Sequence, residues 1–200
     1  YGSDVLTISC NDDAEKSVVM DALTKRRNRT FKSVKFKGMK DFDFVAKVLR
    51  IVKTKELSFS FFSTAWTDEA VDALCNMLTT SNCVEKLCFN GCEMSLGNQI
   101  SHAQSEKFKC ALRQSKSLKL LQIEMNSSFV HVLPKEICKF DIELKYNSSH
   151  IAFHSDIVRV DLTVDQEITF WKDFDSATSR LAVLEFSCFN DSDLVLLLQS

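Results

Sequence analysis

The side chains of this chain best equipped for chemistry are its thiols, two of its histidines and one run of cations. Cys83, Cys88 and Cys92, with Cys75 upstream, form the densest thiol group, and thiolates are good zinc ligands. Zinc sites gather thiols as closely spaced pairs on a knuckle. Here the spacing straddles a segment that reads as a strand, whose successive side chains face opposite ways. The group therefore reads as packing, and no metal residue is assigned. His150 and His154 stand at i, i+4, but the glutamate and partner motif of H-E-x-x-H are missing. No motif pairs a cysteine with a histidine as nucleophile and base, and neither a P-loop nor a G-x-G-x-x-G occurs. The expectation is a non-enzyme with no catalytic residue and no cofactor; His150 and Cys92 are the positions whose mutation would test the opposite view.

The cationic run comprises Lys25, Arg26, Arg27, Arg29, Lys32, Lys35, Lys37 and Lys40. It reads either as a patch for an acidic segment, a phosphate or nucleic acid, or as a solvated face whose cations favour a helix C-terminus. No aromatic side chains are interleaved to stack bases, so an acidic protein is the expected ligand and nucleic acid is not. The net charge of −2 agrees: the whole molecule is not tuned to a polyanion.

Composition bounds the scaffold. A hydrophobic content of 45% over 200 residues, with four glycines and one proline, fits one domain with a buried core and little linker. No apolar run approaches the ~20 residues that span a bilayer, and no signal peptide opens the chain. The chain begins inside a strand unit and ends inside an apolar stretch, Asp193 to Gln199. It is expected to be a piece of a longer protein, and to self-associate in isolation through uncapped ends. The eight cysteines fall mostly at positions that want small buried residues, which predicts reduced thiols and a cytoplasmic location. Of four glycosylation sequons, at Asn28, Asn126, Asn147 and Asn190, two coincide with positions expected to turn inward.

The elements that would position these residues come from a repeat. Eight phrases share one pattern: VLTISCND, VKFKGMKD, LSFSFFST, LCFNGCEM, LQIEMNSS, IELKYNSS, VDLTVDQE and LEFSCFND. Their alternation predicts strands, and recurrence every ~20–30 residues predicts a solenoid. The inward pairs are Leu6/Ile8, Val34/Phe36, Leu57/Phe59, Leu87/Phe89, Leu121/Ile123, Ile142/Leu144, Val160/Leu162 and Leu184/Phe186. Three residues before each pair stands a further core position, filled by Phe31, Val84, Leu118, Ile157 and Leu181, and by Ser3, Thr54 and Lys139 elsewhere. A stop residue follows: Asn11, Cys92, Asn126, Asn147 and Asp165, or Met39, Phe62 and Phe189.

Between strands the apolar spacing predicts helices. Asp13 to Arg26 carries Val18, Val19, Ala22 and Leu23 on one face. Asp41 to Val52, Thr67 to Thr79 and Ser105 to Arg113 follow the same rule, with Thr67 as an N-cap. Later connectors are shorter or less regular: Phe129 to Cys138 with a short helix near Pro134, Ser148 to Asp156, and Gln166 to Arg180.

With its L-x-L strands and its A-x-x-L-x-x-x-L helices, TDEAVDALCNMLTTSNCVEKLCFNGCEM resembles the leucine-rich repeat family, in the long, helix-bearing form of ribonuclease inhibitor and NOD-like immune receptors. The resemblance is strong from Lys55 to Met125 and weaker from Phe140 to Ile168. It implies an α/β solenoid of about eight irregular repeats, with a curved parallel sheet on the concave side and helices or turns on the convex side. It also implies protein recognition by the concave face.

On that face this register places Lys35/Lys37 at one end, beside Arg26, Arg27 and Arg29, then Ser58/Ser60, Cys88/Asn90, Gln122/Glu124 and Glu143/Lys145, with Asp161/Thr163 and Glu185/Ser187 at the other end. The expected binding residues are Lys35, Lys37, Arg26, Arg27, Arg29, Gln122, Glu124, Glu143, Asp161 and Glu185. The leading reading is a partner-binding domain of a larger intracellular receptor or scaffold, such as a NOD-like innate immune sensor. The alternatives are the substrate-recruiting arm of an F-box-type ubiquitin ligase and a solenoid that braces neighbouring domains.

Overall fold

A computed structural model of the chain describes residues 4–10, 12–60, 65–92, 101–125, 140–146, 157–162 and 183–186. Strands and helices alternate in the order β1 (Val5–Ile8), α1 (Asp13–Lys25), β2 (Thr30–Lys37), α2 (Phe42–Leu49), β3 (Lys53–Ser60), α3 (Asp68–Thr80), β4 (Lys86–Cys92), α4 (His102–Gln114) and β5 (Leu120–Met125). Then come β6 (Asp141–Tyr146), β7 (Ile157–Leu162) and β8 (Val183–Phe186). All eight strands form one parallel sheet in strict sequence order. No pairing joins β1 to β8, so the sheet is open and not a closed barrel.

Each apolar pair contributes one rung to two continuous rows. Leu6, Val34, Leu57, Leu87, Leu121 and Ile142 are in register, as are Ile8, Phe36, Phe59, Phe89, Ile123 and Leu144. The second row is a phenylalanine ladder at its centre. Phe36 stacks on Phe59 at 5.3 Å and Phe59 on Phe89 at 5.4 Å, with Trp66 edge-on to Phe59 at 5.0 Å. Each such buried ring stabilises the fold by roughly 2–3 kcal/mol, with a further increment from ring geometry.

The helices bury their apolar stripes on these rows: Val45, Val48 and Leu49 from α2, Ala70, Val71, Leu74 and Leu78 from α3, Phe108, Ala111 and Leu112 from α4. The predicted core positions Phe31, Val84 and Leu118 are buried, and so is the stop residue Met39. Thr54 occupies an apolar position at 0% exposure, and its hydroxyl donates to the Glu56 carbonyl at 2.8 Å, which removes the cost of burying it.

All four helices begin with the same device. Asp12, Asp41, Thr67 and Ser101 each accept, through the side chain, the backbone N–H three residues on. At Ser101 the Gln104 side chain also accepts from the Ser101 N–H, completing a capping box. That box starts α4 three residues before the expected Ser105. Cross-helix contacts fix the stack. Lys16 on α1 reaches Asp41 at 2.8 Å, which raises the lysine's pKa and lowers the carboxylate's. Gln104 donates to Asp68, and Lys107 pairs with Asp72.

Two expectations about packing are corrected. On α1 only Leu23 is buried, with Val19 and Met20 half-buried; Ala22 is exposed and Val18 is 68% exposed. The helix meets α2 far more lightly than α2 meets α3, so its stripe is covered from one side only. The second correction concerns β7. The expected alignment set Val160 beside Ile142, whereas the structure sets Ile157 beside Ile142 and, after a bulge, Val160 beside Leu144 and Leu162 beside Tyr146. Tyr146 extends the apolar alternation of β6 by one rung, and sliding β7 gives that rung a partner. The slide also places Arg159 beside Glu143 and Asp161 beside Lys145, where the expected register would have set Asp161 beside Glu143, two like charges.

The connectors at Phe129 to Cys138, Ser148 to Asp156 and Gln166 to Arg180 lie outside the described residues, as do Ser3, Lys139, Leu181, His150, His154 and the stop residues Asn11, Phe62, Asn126, Asn147, Asp165 and Phe189. Among the described residues no helix is long and apolar enough to cross a membrane.

Candidate recognition surface

The apolar rows and the helices share one core, so alternate strand residues line the sheet's other face. Two rows run across it. The first is Thr7, Lys35, Ser58, Cys88, Gln122, Glu143, Arg159 and Val183; the second is Lys37, Ser60, Asn90, Glu124, Lys145, Asp161 and Glu185. Asp161 and Glu185 thus belong to the second row, two residues along from their expected places. In the strand register the positions of Lys145 and Arg159 alternate with the acidic positions at this end.

Lys35 and Lys37 are exposed on β2. The register neighbours of Lys35 are Thr7 and Ser58, and that of Lys37 on β3 is Ser60. No acid occupies those neighbouring positions. The nearest on the adjacent strand is Glu56, one position up, whose own register partner is Lys86. The arginines of the cationic run do not join the two lysines. Arg26 is the C-cap of α1 and Arg27 lies in the following turn. From Thr30 to Lys35 the strand rises ~16 Å, which separates the two groups. Arg29 pairs with Asp4 at 2.8 Å and lies over the Phe31 ring at 5.6 Å, so it braces the sheet edge. The linear run is therefore two spatial groups: one suited to the C-terminal end of a helix dipole, the other to the open face.

The middle of the face is small and polar. Ser58 is 3% exposed and Cys88 2% exposed, with no helix against them among the described residues. Their neighbours fold across: Asn90 Nδ2 donates to Ser58 Oγ at 3.3 Å, and Cys88 Sγ donates to Gln122 Oε1 at 3.5 Å. Burial pushes the Cys88 thiol up to about 11; Glu56 and Glu143 add to the rise, and Lys86 and Lys35 oppose it. Ser58, Ser60 and Asn90 carry this geometry, yet they were not among the expected binding residues; their signal is the run of small polar residues between longer ones on adjacent strands. At the strand entrances Glu85 bridges Lys55 at 3.5 Å and Lys119 at 2.6 Å, and these cations, Lys119 foremost, lower its pKa.

Of the clustered thiols, Cys75, Cys83 and Cys88 do not assemble; the Cys92 side chain lies outside what is described. Cys75 is buried on α3, where desolvation pushes it up to about 11, Cys83 is half-buried beside Ser81, and Cys88 is on the open face. Groups with such pKa values stay protonated at neutral pH and are poor nucleophiles or ligands. Among the described residues no three His, Cys, Asp or Glu side chains converge as a metal site.

No protein-family model matches the chain, and no curated protein matches it either.

Proposed function

We propose that this chain is a leucine-rich-repeat solenoid of the helix-bearing type, acting as a non-enzymatic protein-recognition domain. The observation that carries the reading is a parallel sheet in sequence order whose helices share one face. Parallel sheets ordinarily bury both faces, and their strands are then apolar throughout. Here the second face carries lysine, serine, asparagine, glutamine and glutamate, which suits a surface held for a partner. Free thiols at Cys10, Cys75, Cys83, Cys88 and Cys110 support a reducing, cytoplasmic setting. The partner contacts would come from Lys35, Lys37, Gln122, Glu124, Glu143, Asp161 and Glu185, within a larger receptor of the NOD-like kind or a scaffold.

The test is to identify a partner by proximity labelling and to map it with bulky substitutions on each face. Ser60→Trp and Asn90→Trp on the sheet are expected to abolish the interaction, while Glu69→Trp on α3 leaves it intact. Loss only with the helix-face variant would refute recognition by the sheet. Retention with all three would favour a bracing role.

A further inference from the structure

Positive charge concentrates at one edge of the molecule, where α1 and α2 end and β2 and β3 begin. Two connectors stand side by side there, because β2 and β3 pair from Thr30 beside Lys53 onward. The first, residues 25–32, carries Lys25, Arg26, Arg27, Arg29 and Lys32; the second, residues 47–55, carries Lys47, Arg50, Lys53 and Lys55. Neither contains an acid. Nine of the chain's 25 lysines and arginines thus fall in these two windows, and the remainder of the chain sets 16 cations against 27 acids. The connectors are ~5 Å apart at the strands and ~10 Å apart at the helices.

Apart from Arg29 all of these cations are exposed. Arg29 is paired with Asp4 and Lys55 with Glu85; the other seven are in no ion pair among the described residues. Backbone hydrogen bonds fix the turns that present them, from Arg29 N–H to the Arg26 carbonyl at 2.8 Å and from Val52 N–H to the Val48 carbonyl at 3.0 Å. Helix dipoles do not account for the group. A helix end favours cations about its last turn, which covers Lys25, Arg26, Lys47 and Arg50, but Lys32, Lys53 and Lys55 lie on strands. α3 has no cation in its last turn at all, so a helix end in this fold does not require one. Phe31 and Ser33 adjoin Thr54 and Glu56, which sets Lys32 beside Lys55, and like charges at adjoining strand positions cost stability.

The surroundings select the size of the anion. A bilayer or a nucleic-acid duplex is an extended polyanion that also meets the acids of the rest of the chain, whose repulsion reaches about 10 Å. Neither window has an exposed aromatic side chain to stack bases, nor an exposed large apolar one to enter a bilayer. A short acidic segment can lie wholly within the two connectors. We propose that this edge docks a short acidic segment of a partner protein on Arg26, Arg27, Lys32, Lys47, Arg50 and Lys53. It is a surface beyond the sheet face and does not depend on recognition there: β3 enters the edge at Lys53 and reaches Ser60 only at its other end.

Fluorescence anisotropy on the full 200-residue chain tests it. The probe is a labelled peptide of alternating glutamate and serine, with its glutamine analogue as the control. The acidic peptide is expected to bind and the analogue is not. Lys47→Glu with Arg50→Glu, outside the run that begins at Lys25, should weaken binding at least about tenfold. The neutral pair Arg27→Gln with Lys53→Gln leaves both helices unaltered and should weaken it about three- to tenfold. Circular dichroism separates lost binding from lost folding, and the neutral pair decides if the reversed pair does not fold. Lys35→Glu with Lys37→Glu, on the open face, should have a smaller effect, screened by ~10 Å or more of separation. The proposal is overturned if the analogue binds equally, if neither edge pair weakens binding, or if the open-face pair weakens it as much. Equal binding of phosphatidylserine vesicles or of a DNA duplex also overturns it, as does a dimer of the chain itself that the edge substitutions dissolve in sedimentation. The mapping with Ser60→Trp and Glu69→Trp is unaffected by any of these results, so failure here is distinguishable from failure of sheet-face recognition.

Discussion

The open face divides into two regions that differ in how they use charge. Across β2 to β5, two lysines sit in register with hydroxyls, and a low polar floor follows. Across β6 to β8, Glu143 stands beside Arg159, Lys145 beside Asp161, and only Asp161 and Glu185 adjoin as like charges. The backbone arrangement is the same in both. In the second region opposite charges occupy adjoining register positions. In the first the register neighbours of the lysines are neutral.

The largest expected effect tests the core beneath the first region. Phe59→Ala removes the ring between Phe36 and Phe89 and beneath Trp66, and should cost about 3–5 kcal/mol. Urea denaturation followed by circular dichroism measures it. A single transition moved to lower urea would show that both regions fold on one core. Two transitions, with one unchanged, would show that the regions are energetically separate.

Alkaline pH gives the next effect. Cys75 and Cys88 are raised from the ordinary 9.0 to about 11 by burial. Their thiol form is favoured in the fold, so their contribution is complete below pH 9 and is lost as pH rises from 9 to 11. Each should forfeit about 2–3 kcal/mol by the upper end. Cys88→Ser is expected to remove its share of the loss while keeping a donor toward Gln122. Thermal melts between pH 8 and 11 show this, and a variant that tracks the parent throughout would contradict the burial of Cys88. Smaller again is Ser101→Ala, which removes the cap that starts α4 and should cost ~1 kcal/mol; an unchanged urea midpoint would mean that Gln104 holds the helix start alone.

Much of this architecture is written in the order of residues. The L-x-x-L-x-L spacing marks strand, face and rung together, so the inward rows from Leu6 to Ile142 follow from alternation alone. The start of α4 was also legible, since Ser101-x-x-Gln104 is a capping box, but apolar spacing pointed to Phe108 and hid it. The cationic run misled in a different way. Nearness in sequence is not nearness in space once a strand of ~3.3 Å per residue intervenes, so Arg26 and Arg27 part from Lys35 and Lys37. The make-up of the polar face depends on which residues adjoin on neighbouring strands, and that is known only when the register is.

The register of β7 is where sequence and structure part most sharply, and the smallest predicted effect decides it. Two alignments keep apolar residues inside: Val160 beside Ile142, or Val160 beside Leu144. They differ in what Arg159 meets. In the structure its neighbour is Glu143; in the other alignment it would be Asp141. Arg159→Glu should therefore destabilise by about 0.2–1 kcal/mol through a like-charge contact across the strands. Glu143→Lys should recover that loss in the double variant, and Asp141→Lys should not. The coupling energy from the two double-mutant cycles, measured by urea denaturation at low salt, reads the register directly. Coupling at Asp141 instead would restore the acidic end of the face and bring Asp161 beside Glu143.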